Sequence, residues 1–117
     1  MALLTSTTTT AHGIVLPAAQ AVSSSDTFAN TSARTLIEVN NGGGAPITVT
    51  FVTFGTVGAG GTVTYDIADD AQTVTNGTSK VFGPFKKSVL NNASDIVTVN
   101  FSATTSVTAR VIQLGTA

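Results

Sequence analysis

The chain has 117 residues, no cysteine, 9% charged residues and a formal net charge of −1. That length suits one domain, and the missing cysteine excludes disulfides, thiolate chemistry and Cys-based zinc sites. An average soluble domain carries about 25% charged residues, so this surface must be built largely from Thr, Ser, Asn and Gly. The five Lys and Arg residues are scattered, which excludes the clustered basic face of a nucleic-acid binder. No apolar run approaches the ~20 residues of a membrane helix.

The first twelve residues stand apart. Leu3 and Leu4 lead into Thr5, Ser6 and a run of four Thr. This segment reads as an edge strand or as an arm that orders against a partner. As an arm, it should be removable without loss of the fold. Gly13 to Val22 is fairly apolar, and Ala19-Gln20-Ala21 has the look of a signal cleavage site. No basic residue precedes it, however, and His12, Pro17 and the Thr run interrupt it, so it is expected to be structure. Pro17–Ser24 is the best helix candidate, with Pro at the first position; a strand or an arm is the competing reading.

From Thr35 onward the period is two, the strand period. Thr35, Ile37 and Val39 alternate with Leu36 and Glu38. Asn40-Asn41-Gly42-Gly43-Gly44 then predicts a hairpin loop before the alternation of Ile47, Val49 and Phe51 with Thr48 and Thr50. Gly58 to Gly61 predicts a bend, followed by Val63, Tyr65 and Ile67 on one face, and Asp69-Asp70 breaks the chain again. Asn76-Gly77 predicts a two-residue hairpin, because both positions tolerate positive φ. Gly83-Pro84 predicts a turn between Val81-Phe82 and Phe85, and Asn91-Asn92 precedes an alternating strand, Ile96 to Ser102. The last segment, Val107 to Leu114, is apolar on both faces, as in a strand covered on both sides. Seven to nine short strands at this spacing predict an all-β, single-domain, two-sheet β-sandwich over residues 13–117. It is jelly-roll-like, with the Thr-rich arm at residues 1–12.

No catalytic constellation emerges, and the chain is not expected to be an enzyme. His12 is the only histidine and has no nucleophile motif beside it. Asp66, Asp69 and Asp70 form the one acidic cluster; calcium is conceivable there, but the spacing lacks the Gly and closing Glu of an EF-hand, and a solvated turn is the stronger reading. The Gly runs lack the Lys-Ser/Thr of a phosphate loop. Four Asn-X-Ser/Thr matches, at Asn30, Asn76, Asn92 and Asn100, are what chance supplies in so Asn- and Thr-rich a chain. Phe82 and Phe85 flank a tight turn and serve as a core plug or as an interface anchor. Lys86 and Lys87 follow at the rim, available to an acidic partner.

The succession Leu36–Gly44, Ile47–Thr50, Val81-Phe82-Gly83-Pro84-Phe85 and Ile96–Ser102 resembles that of small virion proteins of tailed bacteriophages. The resemblance covers roughly residues 26 to 114. It implies a capsid decoration, or cement, protein with a jelly-roll fold. Such a protein would bind the outer surface of a phage head as a homotrimer and stabilise contacts between capsomers. The implied partners are the major capsid protein and further copies of the chain, with no cofactor, no nucleic acid and no membrane. Another virion component (neck, tail or fibre base) and a secreted β-sandwich adhesin are the alternatives. The residues expected at a protein interface are Leu3, Leu4, Thr7, Phe82, Phe85, Lys86 and Lys87.

Overall fold

The computed structural model describes residues 2–10, 15–54, 56–58, 64–66 and 69–115. His12 and most of the Gly58–Gly61 bend lie outside the described residues, as does the side chain of Asp66.

Alternation writes the strands. Inward positions of β5 (Thr35–Asn41) are buried at every second residue, as are those of β6 (Ile47–Phe51), β11 (Ile96–Phe101) and β12 (Val107–Gln113). β-branched Val, Ile and Thr fill these segments and suit a pleated, half-buried surface. Three shorter strands lie toward the N-terminus: β1 (Ala2–Leu4), β2 (Ser6–Thr8) and β3 (Gln20–Ala21). The set is completed by β4 (Ser25–Ala29), β7 (Thr56–Gly58), β8 (Thr64–Asp66), β9 (Asp70–Val74) and β10 (Thr78–Phe82). One helical turn, α1 (Lys87–Leu90), interrupts the strands.

Two sheets result. The first has the order β1-β4-β11-β6-β9 and the second β10-β5-β12-β2, with β3 also paired to β12. The antiparallel pairs β6–β9, β5–β10, β4–β11 and β3–β12 are nested one inside the next. A long hairpin rolled up so that successive pairs fall in alternate sheets has this pairing, which is the jelly roll the spacing predicted. The β7–β8 ribbon lies within the innermost hairpin.

Both predicted hairpins are corrected by this topology. Asn40–Gly44 joins β5 to β6, and Asn76-Gly77 joins β9 to β10; each connection passes from one sheet to the other. Turn residues specify a reversal of the chain, not which strand becomes the neighbour, and in a rolled hairpin the two separate. Of the readings of Pro17–Ser24, the strand holds over the helix: Gln20–Ala21 pairs with Ala109 and Thr108, and none of the flanking described residues is helical. Pairing with β12 satisfies the backbone there, and a run of three Ser gives a helix little support.

The N-terminal segment is an edge strand in both sheets. β1 runs parallel to β4 and β2 parallel to β12, so the chain crosses from one sheet to the other at Thr5. Leu4 is only 3% exposed and joins the core. Removal of residues 1–12 therefore uncovers buried surface, contrary to the expectation of a dispensable arm.

Candidate interaction surface

Phe28, Phe51, Phe82 and Phe85 cluster toward one end of the core between the sheets, and Phe101 lies toward the other. Phe51 packs on Phe82 at 5.2 Å between ring centroids and on Phe85 at 4.9 Å, while Phe28 meets Phe85 at 5.3 Å. Tilted and edge-on rings of this kind gain beyond the area they bury. Phe82 and Phe85 are thus core residues, 9% and 5% exposed, and Leu4 joins them there; none of the three is open to a partner as the interface expectation required. The bond between Gly83 and Pro84 is cis. Gly83 adopts φ +116°, and a Cβ there would lie 2.6 Å from the Thr35 carbonyl oxygen, so the turn admits only glycine.

Beside the aromatic cluster, buried amides tie the loops together. Asn30 Nδ2 donates to the Phe85 carbonyl (3.1 Å) and to Asn91 Oδ1 (2.8 Å), and Asn91 Nδ2 donates back to the Asn30 carbonyl (2.8 Å). Lys87 is anchored rather than free: its Nζ donates to the Thr31 carbonyl at 3.0 Å and lies 3.6 Å from Asp95. Lys86 is exposed, as is Arg34 on the neighbouring loop. Asp69 accepts from the Thr53 backbone N–H (2.9 Å), and Asp70 accepts from Gln72 Nε2 (2.7 Å). Among the described residues no group of three His, Cys, Asp or Glu could hold a metal ion.

At the opposite end, Asn41 does the tying. Its Nδ2 donates to the carbonyls of Ala45 (2.9 Å) and Val74 (3.1 Å), and its Oδ1 accepts from the Gly43 N–H (3.1 Å). Its own carbonyl accepts from the Gly77 N–H at 2.7 Å. Asp26 is fully buried here and accepts from the backbone N–H and the hydroxyl of Ser23. The loops of this end are Ser23-Ser24, Gly42–Pro46, Thr75–Gly77 and Ser102–Ser106, and none carries a charged side chain.

The outer faces of the two sheets differ. On the first sheet the strand registers point Leu3, Thr27, Ala29, Ile96, Thr98, Asn100, Thr50, Thr48, Ala71 and Thr73 outward, and none is charged. Leu3 is 60% exposed there. On the second sheet Glu38 and Arg110 face each other across β5 and β12 in an ion pair of 2.8 Å, and Arg110 Nε also donates to the Pro17 carbonyl (3.0 Å). That bond straps Val15 and Leu16, 91% and 55% exposed, to this sheet's side of the molecule. Thr7 lies half-buried opposite Ile112 on the same sheet, and Val81, 57% exposed, lies opposite Glu38 at the sheet's other edge.

The described surface is therefore divided. One sheet face and the adjoining end form a continuous surface without a charged side chain. Apart from the fully buried Asp26, the described charged side chains are confined to the other end (Arg34, Asp69, Asp70, Lys86, Lys87, Asp95), the second sheet's face, and Lys80 on its edge. Sequence reasoning found the scarcity of charge but not its segregation, which depends on sheet order. It also missed the burial of Asn30, Asn41 and Asp26, polar residues that fall on the inward positions of the strand alternation. The chain matches no family model, no curated protein and no solved structure.

Proposed function

We propose that the chain is a structural component of a tailed-phage particle: a decoration protein that binds the outer surface of the head, with the major capsid protein and copies of itself as partners. The observation that carries this reading is the division of the surface. Contacts that stay assembled deplete charge at their centres, because an ion taken out of water costs several kcal/mol. A face and an end without a charged side chain are suited to permanent cover, and a lone soluble monomer has no need of them. The sequence resemblance to small virion proteins points the same way. Bridging neighbouring capsomers stabilises the shell by mass action, since those contacts exist only in the assembled particle.

The test is density-gradient sedimentation of the native source lysate, with the chain quantified by mass spectrometry across the fractions. Co-migration with filled particles, at about the copy number of the main shell protein, is the expected result. A few to a few dozen copies per particle would move the protein to the neck, tail or fibre base. Retention with soluble protein at the top of the gradient would overturn the virion reading in favour of an adhesin.

A further inference from the structure

We infer that the uncharged surface, made of the outer face of the first sheet and the adjoining loop end, is where one copy of this chain packs against another. The inference rests on the particle reading for its context and names the self-contact within it.

Size is the first argument. Five strands spaced ~4.8 Å apart and about five residues long present a face of ~400 Å². The adjoining end, with two sheets ~10 Å apart, adds ~240 Å², so that two copies together would bury ~1,300 Å², within the ~1,200–2,000 Å² total of specific interfaces. Neither part reaches that figure alone. The two are continuous through Thr48, whose N–H donates to Ser102 Oγ at 2.8 Å, and through Ser25 and Asn100 at the strand ends.

Charge is the second. Contacts between identical chains bring matching patches together around a symmetry axis, so a charge near the axis meets its own copy. Like charges held opposite each other repel, and desolvation adds to the cost. The end bearing Lys86, Arg34 and Asp69 is unsuited to this; the Thr-rich face is not. Complementary charge, which sets on-rate and register between different proteins, is absent here and is offered instead by the charged end and the second sheet's face. For a copy of itself, neutrality on both sides is the complement. Leu3, 60% exposed at one margin of the face, supplies an apolar contact.

β1 and β9 bound the first sheet, and the face between them is outward-pointing Thr, Ser, Ala and Asn, with Ile96 half-buried. Among the described residues nothing on it reaches out far enough to hold a partner away.

The experiment is sedimentation equilibrium of the purified full chain over a range of concentrations, at low and at high salt. The wild type should be an oligomer whose association is insensitive to salt, since no charged pair is screened. Thr48→Lys, at an exposed position on the face, and Thr98→Lys, at its centre, should each reduce the mass to that of a single chain while the far-UV circular dichroism is unchanged. Ser79→Lys, exposed on the outward side of β10 in the other sheet, should leave the oligomer intact. If Thr98→Lys unfolds, Thr48→Lys decides. A wild type that is monomeric throughout would overturn the inference, as would an oligomer that survives Thr48→Lys or one that Ser79→Lys dissociates equally well. The particle reading fails separately: an oligomer that never co-sediments with particles sinks that reading and keeps this surface, and a monomer that does co-sediment sinks this surface alone.

Discussion

The two flanks of the sandwich end their sheets in different ways. On one flank a single extended segment, Ala2–Thr8, lies along both sheets and drives Leu4 into the core. It is held by the Gln20 amide, which donates to the Thr5 carbonyl (3.3 Å) and hydroxyl (3.0 Å), and by the Thr9 N–H, which donates to the Gln113 carbonyl (2.8 Å). On the other flank β9 and β10 are edges that no further strand covers among the described residues, joined by the Thr75–Gly77 connection. There Lys80, on an inward register position, donates to the Thr73 carbonyl across the gap (3.4 Å) and lies 5.5 Å from the Phe82 ring centre. A charge on an edge strand deters pairing with a second chain. One flank is thus closed by covering it and the other by making it unattractive to strands. Covering buries surface and adds stability; an edge charge adds little stability but opposes aggregation.

Phe82→Ala should have the largest effect, on the bare flank, because it removes a buried ring packed on Phe51. The expected loss is about 3–5 kcal/mol in denaturant unfolding. Leu4→Ala tests the covered flank, with an expected loss of about 2–5 kcal/mol. A loss below about 0.5 kcal/mol would mean that Ala2–Thr8 detaches independently of the rest and that covering contributes nothing to global stability. Asn41→Ala strands the Val74 and Ala45 carbonyls and the Gly43 N–H at the end of the bare flank. It should cost about 1–3 kcal/mol and speed hydrogen exchange at Gly43. Lys80→Val should change stability least, within about 0.5 kcal/mol, yet raise light scattering on storage. If Lys80→Val stays as soluble as the parent, the edge charge is not what protects that flank.

The sequence made the strands legible because alternation is a local property: Ile37, Val39, Val49, Val97 and Val99 are where a period of two places a core. It did not make the partners legible. Asn76-Gly77 carries a hairpin signature, yet its flanking strands diverge into different sheets, because nested pairing between distant segments overrides the local preference. The same limit applies to the surface. Thr27, Thr50 and Thr98 look ordinary in three separate strands, and only the order β4-β11-β6 gathers them on one uncharged face. Phe82 and Phe85 had two readings in sequence, and burial against Phe51 and Phe28 decides for the core.

The nested pairing also sets an order of assembly. In the second sheet, β12 lies between β5 on one side and β2 and β3 on the other. That sheet cannot be completed until residues 107–113 have left the ribosome, and the N-terminal strand β2 must wait for β12, its partner near the other end of the chain. Contacts so distant along the chain make folding slow. Through that interval Leu4 and the inner faces of β5 and β6 remain uncovered, so synthesis is the stage at which this charge-poor chain is most exposed to association with its neighbours.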